Sequence, residues 1–215
     1  MRNSKYQLVL LCIILLLTFG SACTSTAVET VETTEPTEPV PISIPEGTNV
    51  LIVIRNYHSE DMQLVTDNEL GVMIDMLDEA GLNYLITSLT FEPYESETRT
   101  VTPDFLVDSV DVAGFDAVIL PCLAAGDSLA SNPKEIVDLV KEFEKQEKVI
   151  AAVHGARWPL FAEKIITNEQ FGRDVIQKGR IITSGCCPHG VSYFKCEDGT
   201  KPLIEKVIAT LNECT

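Results

Sequence analysis

The sequence predicts an α/β domain built on a doubly wound parallel sheet of about five strands, with helices on both faces. Two observations carry this prediction. Continuous apolar runs rich in Val and Ile recur along the chain, which is typical of parallel strands that are covered on both faces. Helical patterns with apolar residues at i, i+3, i+4 and i+7 separate these runs. Strands that alternate with helices favour a doubly wound sheet over other α/β arrangements.

The elements follow in chain order. The predicted strands are NVLIVIR (49–55), LNYLITSL (82–89), FDAVILP (115–121), KVIAAV (148–153) and RIITSG (180–185). The first helix is expected to have Asp67 or Asn68 as its cap and to end at Gly81. The second is expected to start at Asn132 and Pro133, and a last helix, KPLIEKVIATLNE, closes the chain. The predicted inner faces are Leu70, Met73, Ile74 and Leu77 in the first helix and Ile136, Leu139, Val140 and Phe143 in the second.

The first 22 residues have the pattern of an export signal. Arg2 and Lys5 precede the apolar run LVLLCIILLLTF, and small residues follow it in GSAC. GSAC resembles the lipobox of bacterial lipoproteins, which implies cleavage before Cys23 and lipidation of its thiol. An uncleaved N-terminal anchor is the alternative. Either outcome predicts an extracytoplasmic domain at the cell envelope that is held to a membrane.

The remaining chain divides into a tether and one domain. Residues 23–48 are rich in Thr, Glu and Pro and contain no Lys or Arg, so they are expected to form a disordered tether. Residues 49–215 have the length of a single domain with one substantial core. The formal net charge of −16 argues against nucleic acid as a partner.

The scarce residues of the chain follow the predicted strands. His58 follows the first strand, Cys122 the third and His154 the fourth. Three more follow the fifth strand, namely Cys186, Cys187 and His189. Ligands of doubly wound sheets bind at the carboxyl ends of the strands, so this clustering indicates a site there.

The domain resembles the ThiJ/PfpI group of the class I glutamine amidotransferase-like superfamily. The segments that carry the resemblance are NVLIVIR, NELGVMIDMLDEAGLN, TPDFLVDSVDVAGFDAVILP, KEIVDLVKEFEKQEKVIAAV and GRIITSG. The resemblance implies a flavodoxin-like fold and, in this group, homodimer contacts. It also implies a cysteine at a strand-to-helix elbow, a glutamate that hydrogen-bonds this cysteine, and a glycine pair after ILP whose amides face an oxyanion.

The sequence departs from that pattern at the elbow. The glutamate is present as Glu69, but the elbow residue is His154, and Cys122 and Leu123 stand in place of the glycine pair. A neutral imidazole can be a base, a hydrogen-bond partner or a metal ligand, but it does not replace a thiolate nucleophile. The glyoxalase, deglycase and peptidase activities that the elbow cysteine supports in relatives are therefore not expected.

Two functional hypotheses follow. In the first, the domain is a non-hydrolytic binding or scaffold domain, with a small-molecule ligand that the sequence does not identify. In the second, a site is rebuilt with Cys122 or Cys186 as thiolate and His154 or His189 as base, or the crevice residues, including Cys187, bind zinc or copper.

Structural roles are the alternative for each of these residues. Glu69 would be favourable near the start of a helix whatever the function, His154 could bond backbone groups in the turn, and Cys122 could be a small buried hydrophobe. Cys196 and Cys214 flank the last helix and are candidates for a disulfide in an oxidising compartment.

Overall fold

A computed structural model describes residues 44–55, 62–122 and 132–214. The predicted signal, most of the tether, the lipidation site at Cys23 and the candidate residue His58 lie outside these ranges, as does Leu123. Within the described ranges, none of the helices has the length and apolar character that crossing a membrane would require.

The described residues form a central sheet of seven strands and a separate two-stranded ribbon. The strands are β1 (Asn49–Val53), β2 (Asn83–Ser88), β3 (Tyr94–Glu95), β4 (Thr100–Val101), β5 (Phe105–Leu106), β6 (Ala117–Leu120), β7 (Val149–Val153), β8 (Val175–Lys178) and β9 (Ile181–Ser184). The order in the central sheet is β5-β2-β1-β6-β7-β9-β8, and β3 pairs with β4. The predicted α/β class and all five predicted strands are confirmed, as β1, β2, β6, β7 and β9.

The predicted number of strands was too small, because the sheet has two further edge strands. β5 has only two residues and pairs in parallel with the end of β2. β8 runs antiparallel to β9, and half of its residues are exposed. Neither strand has the continuous apolar run that marks a strand covered on both faces. The sheet is therefore parallel except at the β8 edge.

Helices accompany the strands along the chain. They are α1 (Met62–Val65), α2 (Gly71–Glu79), α3 (Lys134–Lys145), α4 (Arg157–Ala162), α5 (Pro188–Phe194) and α6 (Thr200–Cys214), with a π-helical turn at Thr66–Leu70 between α1 and α2. All eight residues of the two predicted inner faces are buried. The predicted cap at Asp67 or Asn68 was wrong, because both residues lie inside the π-helical turn. The Asp67 carboxylate accepts hydrogen bonds from Ser96 and Thr98 instead.

The core occupies both faces of the sheet. Along β1, Val50 and Ile52 point to the face that α2 and α6 cover, while Leu51 and Val53 point to the face that α3 and α4 cover. All four side chains are fully buried. Each contributes about 1.5–3 kcal/mol through the hydrophobic effect. The two packed faces hold the carboxyl ends of the strands in fixed positions.

Candidate functional site

Three neighbouring strands, β6, β7 and β9, end side by side in the middle of the sheet. Leu120 of β6 is in register with Ala152 of β7, so the chain beyond β6 brings Cys122 level with His154, the first residue after β7. Val153 is in register with Ser184 of β9. Cys187 lies three residues after that strand. The parallel topology thus gathers two cysteines and a histidine at one edge.

The three side chains form a compact cluster, which we call the Cys-His-Cys cluster (Cys122, His154 and Cys187). One potential ligand atom from each residue lies within 4.8 Å of the other two. Sγ of Cys122 and Nδ1 of His154 are 3.4 Å apart. Cys187 is fully buried, whereas Cys122 and His154 are half-buried, so the cluster is open to solvent on one side. Two sulfur atoms and one imidazole nitrogen are donors that suit soft metal ions.

His154 stands at the strand-to-helix elbow in a strained conformation. Its φ is +45°, in the left-handed region that L-residues rarely adopt. A short 3-10 turn, His154–Ala156, connects β7 to α4. The backbone N–H of Gly155 in this turn donates a hydrogen bond to the sulfur of Cys122. The turn therefore presents both an imidazole and an amide to the same thiol. Strained residues of this kind concentrate at functional sites.

Glu69 lies beneath the cluster in the π-helical turn, a type of irregularity that is frequent at functional sites. The side chain is fully buried, and its Oε1 accepts a hydrogen bond from the backbone N–H of Cys122 at 2.8 Å. Oε2 is buried and has no hydrogen-bond partner among the described residues. Burial, and after it the neighbouring Cys187, raise the pKa of Glu69 well above its ordinary value. Both effects favour the neutral form of the carboxyl group.

The pKa values of Cys122 and Cys187 are shifted in opposite directions. The hydrogen bond from Cys122, and after it a hydrogen bond with His154, lower the pKa of Cys187 to about 4 against the opposing effect of burial. The same hydrogen bond to Cys187, together with burial, raises the pKa of Cys122. The pair thus holds one thiolate near neutral pH, and the negative charge is centred on Cys187. A preformed thiolate next to a second thiol is a starting point for metal binding, since sulfur ligands bind as thiolates.

Arg157 is a residue of this site that the sequence analysis missed. Its Nε donates to the carbonyl of His154 at 2.9 Å, and its Nη1 donates to the carbonyls of Gln170 and Gly172. Burial lowers the pKa of Arg157 to about 10, and the nearby Cys122 and Cys187 act in the opposite direction. A signal was present, since Arg157 is a cation within the otherwise apolar stretch AAVHGARWPLF.

The structure corrects two expectations about cysteines. Cys186 forms a disulfide with Cys196, with a Cα–Cα distance of 6.1 Å. The predicted pairing of Cys196 with Cys214 is therefore wrong, and Cys186 does not supply a free thiol or a metal ligand. The disulfide closes the segment that contains α5 and leaves Cys187, the next residue, as a free thiol. The sequence left open whether Cys186 or Cys187 contributes a free thiol to the cluster, and in the structure Cys187 does so.

His189, the other candidate after β9, does not belong to the cluster. It lies in α5 and is half-buried. Among the residues that the structure describes, the group of potential ligands contains Cys122, His154 and Cys187 and no fourth member. The role of His189 as a base for either thiol stays untested.

The sheet order, the elbow after β7 and the buried glutamate define the class of protein, an α/β domain with a strand-to-helix elbow at a topological crevice. The particular family follows from the sequence, because the profile of the DJ-1/PfpI family matches residues 48–173, which is more than half of the chain. The chain belongs to the DJ-1/PfpI family. The matched region contains Glu69, Cys122, His154 and Arg157, whereas Cys187 lies beyond it.

Solved structures support the fold. A ThiJ/PfpI domain protein from Brachyspira murdochii is 18% identical, with a TM-score of 0.55, and the match covers 79% of this chain and 100% of that chain. DJ-1beta from Drosophila melanogaster is 19% identical, with a TM-score of 0.50, and the match covers 77% and 94%. At these identities the likeness establishes the fold alone. No curated protein matches the sequence significantly.

Proposed function

We propose that this DJ-1/PfpI domain is a non-hydrolytic binding domain whose crevice binds a soft metal ion through Cys122, His154 and Cys187. One observation carries the proposal: the three ligand atoms lie within 4.8 Å of one another at the half-open edge of the sheet. Ligand atoms around one ion are separated by distances of this order, because zinc–sulfur and zinc–nitrogen bonds are about 2.3 and 2.0 Å long. Zinc and copper are the candidate ions.

The contacts around the cluster support a binding role. The sulfur of Cys122 receives a hydrogen bond from the turn, and its own backbone N–H is held by Glu69. The carbonyl of His154 is held by Arg157. These contacts fix two of the three ligands before an ion arrives. Supporting groups of this kind orient metal ligands and strengthen binding.

The elbow supports the non-hydrolytic part of the proposal. The family's elbow nucleophile is a cysteine by resemblance, and here the elbow carries the imidazole of His154, which is a ligand or a base. The purified protein is expected to show no glyoxalase, deglycase or peptidase turnover. His154→Cys, which restores a thiol at the elbow, is the comparison. Robust turnover by the unmodified protein would contradict this part of the proposal.

Metal binding is tested by competition with chelators of known affinity, using the full chain with both free thiols confirmed by thiol titration. The unmodified protein is expected to bind one soft ion per chain. Cys122→Ser, Cys187→Ser and His154→Ala are each expected to weaken binding by more than about tenfold, because each removes a ligand. His189→Ala is the matched control, since this histidine lies outside the cluster and its removal should leave the affinity unchanged. Binding that is insensitive to the three substitutions would sink the proposal.

The domain is further proposed to act at the cell envelope, attached to a membrane through a lipidated Cys23 and a tether. The apolar run before GSAC and the acidic, Pro-rich stretch after it support this localisation. Mass spectrometry of the mature protein should find an N-terminal, lipid-modified Cys23. An intact N-terminus, or cleavage elsewhere with an unmodified Cys23, would exclude lipidation.

A further inference from the structure

A buried cation lies beside the Cys-His-Cys cluster. Arg157 is 6% exposed, and its guanidinium donates to three backbone carbonyls and lies 4.7 Å from the centre of the Phe171 ring. These partners are all uncharged, and none of the ion pairs found among the described residues includes Arg157. A buried guanidinium without a carboxylate favours an anion next to it. The sulfur atoms of Cys122 and Cys187 are close enough that negative charge on them stabilises the charged form of Arg157.

The position of Arg157 is fixed by the elbow itself. Its Nε binds the carbonyl of His154, the histidine of the cluster, so the positive charge cannot move away without breaking contacts at the turn. Its other contacts, to Gln170 and Gly172, belong to the segment that follows α4. Arg157 does not coordinate an ion. It acts on the site as a fixed positive charge in a region of low dielectric constant, where electrostatic interactions are strong.

The buried charges can be counted for the metal-bound site. Two metal-bound thiolates contribute −2 and a neutral imidazole contributes nothing, while Arg157, whose guanidinium stays protonated, contributes +1. Glu69 binds the backbone N–H of Cys122 and is not a ligand, so the count covers the three ligands and Arg157. These four residues therefore sum to −1. A monovalent ion brings the sum to zero, whereas a divalent ion leaves one uncompensated positive charge.

We propose that the Cys-His-Cys cluster selects a monovalent soft cation, of which Cu(I) is the biological representative, over divalent Zn²⁺, and that Arg157 is the residue that sets this preference. The inference rests on the proposed metal-binding function and names the ion. The number of ligands is compatible with it, because no fourth His, Cys, Asp or Glu joins the group within the described ranges, so that a tetrahedral Zn²⁺ ion would need a water molecule as its fourth ligand. Two thiolates are donors that suit Cu(I).

The test compares Ag(I) and Cd²⁺, which mimic Cu(I) and Zn²⁺ and do not change oxidation state at the site. Each ion is titrated against a chelator competitor into the full chain and into a short peptide with two cysteines and one histidine. The protein is expected to prefer Ag(I) over Cd²⁺ by about tenfold or more beyond the preference of the peptide, because only the protein has the buried cation. An equal or smaller preference in the protein would overturn the proposal.

Variants of Arg157 separate the effect of its positive charge from the effect of its structural contacts. Arg157→Gln is expected to reduce the ratio of Ag(I) to Cd²⁺ affinity by about tenfold. Arg157→Lys keeps a cation at the site and should retain most of the preference. An unchanged ratio in a folded Arg157→Gln contradicts the proposal.

The outcomes also distinguish this inference from the proposed function. If the unmodified protein binds Cd²⁺ in preference to Ag(I), and Cys122→Ser abolishes binding, the metal site stands and its selectivity is wrong. If neither ion binds, the metal-binding function itself fails. Circular dichroism monitors the fold of each variant. If Arg157→Gln does not fold, the comparison between the unmodified protein and the peptide decides the question.

Discussion

At the scale of single residues, the sulfur atoms of the cluster come from residues beside the elbow and not from the elbow residue, where the family resemblance puts a cysteine. The elbow residue His154 contributes an imidazole, and the sulfur atoms come from Cys122, in the loop after β6, and Cys187, in the segment after β9. Glu69 keeps its buried place, but its Oε1 holds the backbone of Cys122. In the proposed function this arrangement serves as a set of ligands, because the two sulfur atoms and the nitrogen lie within 4.8 Å of one another.

The raised pKa of Glu69 makes the stability of the protein depend on pH. Its pKa in the folded protein is raised above its ordinary value of 4.5, so its contribution is fully present below the unfolded pKa and is lost as the pH rises through the folded pKa. Glu69→Gln removes this dependence. Above about pH 4.5, the free energy of unfolding of the unmodified protein should therefore fall relative to that of Glu69→Gln, by up to about 1.4 kcal/mol per pH unit.

Urea denaturation of the metal-free proteins, repeated from acidic to neutral pH, measures this difference. The two stability curves should diverge as the pH rises, with Glu69→Gln becoming relatively more stable. Asp75→Asn, at an exposed carboxylate that binds Arg99, controls for the replacement of a carboxyl group by an amide elsewhere on the domain. Parallel curves for the unmodified protein and Glu69→Gln would mean that Glu69 ionises in the folded state as it does in the unfolded state.

At the scale of elements, the turn between β7 and α4 is locally destabilised because it holds His154 in a strained backbone conformation. Most of β7 and α4 is buried, and the strain is confined to the first residue of the turn, His154, with its φ of +45°. Glycine adopts this conformation without the steric cost of a Cβ atom. The packed elements on either side hold the turn in place.

Two substitutions test the strain at the elbow. His154→Gly should be more stable than His154→Ala by about 1 kcal/mol, because both remove the imidazole and only glycine relieves the left-handed strain. Ala156→Gly is the control within the same turn: Ala156 has a right-handed φ of −67°, so glycine there should be destabilising. Chemical denaturation of the three variants gives the comparison. Equal stabilities of the Gly and Ala variants at position 154 would show that the elbow is not strained.

The elements differ in how far the sequence could predict them. Buried parallel strands and the amphipathic face of α3 were predictable, because their periodicity is continuous over several residues. The edge strands β5 and β8 were not, since one is two residues long and the other is half exposed. The π-helical turn was also missed, because the cap residues Asp67 and Asn68 look the same in sequence whether they start a helix or lie within an irregular one.

At the scale of the whole molecule, the sheet order explains the site. Cys122, His154 and Cys187 are distant in sequence and meet because β6, β7 and β9 are neighbours with their carboxyl ends at one edge. The convergence of Cys122 and His154 was predictable from the fold class. The choice of Cys187 over Cys186 was not, because it depends on the disulfide between Cys186 and Cys196, which only the tertiary structure determines. The role of Arg157 was missed for a related reason. The sequence shows that this residue is a cation, but only the tertiary structure shows that it is buried.

The central claim, that one soft ion binds between two sulfur atoms and one imidazole nitrogen, is tested most directly by a crystal structure of the Ag(I)-loaded full chain with anomalous scattering data. The account predicts a single strong anomalous peak within bonding distance of Sγ of Cys122, Sγ of Cys187 and a ring nitrogen of His154, and its loss in crystals of Cys187→Ser. A peak at His189 or on the acidic surface, with none between these three atoms, would contradict the account.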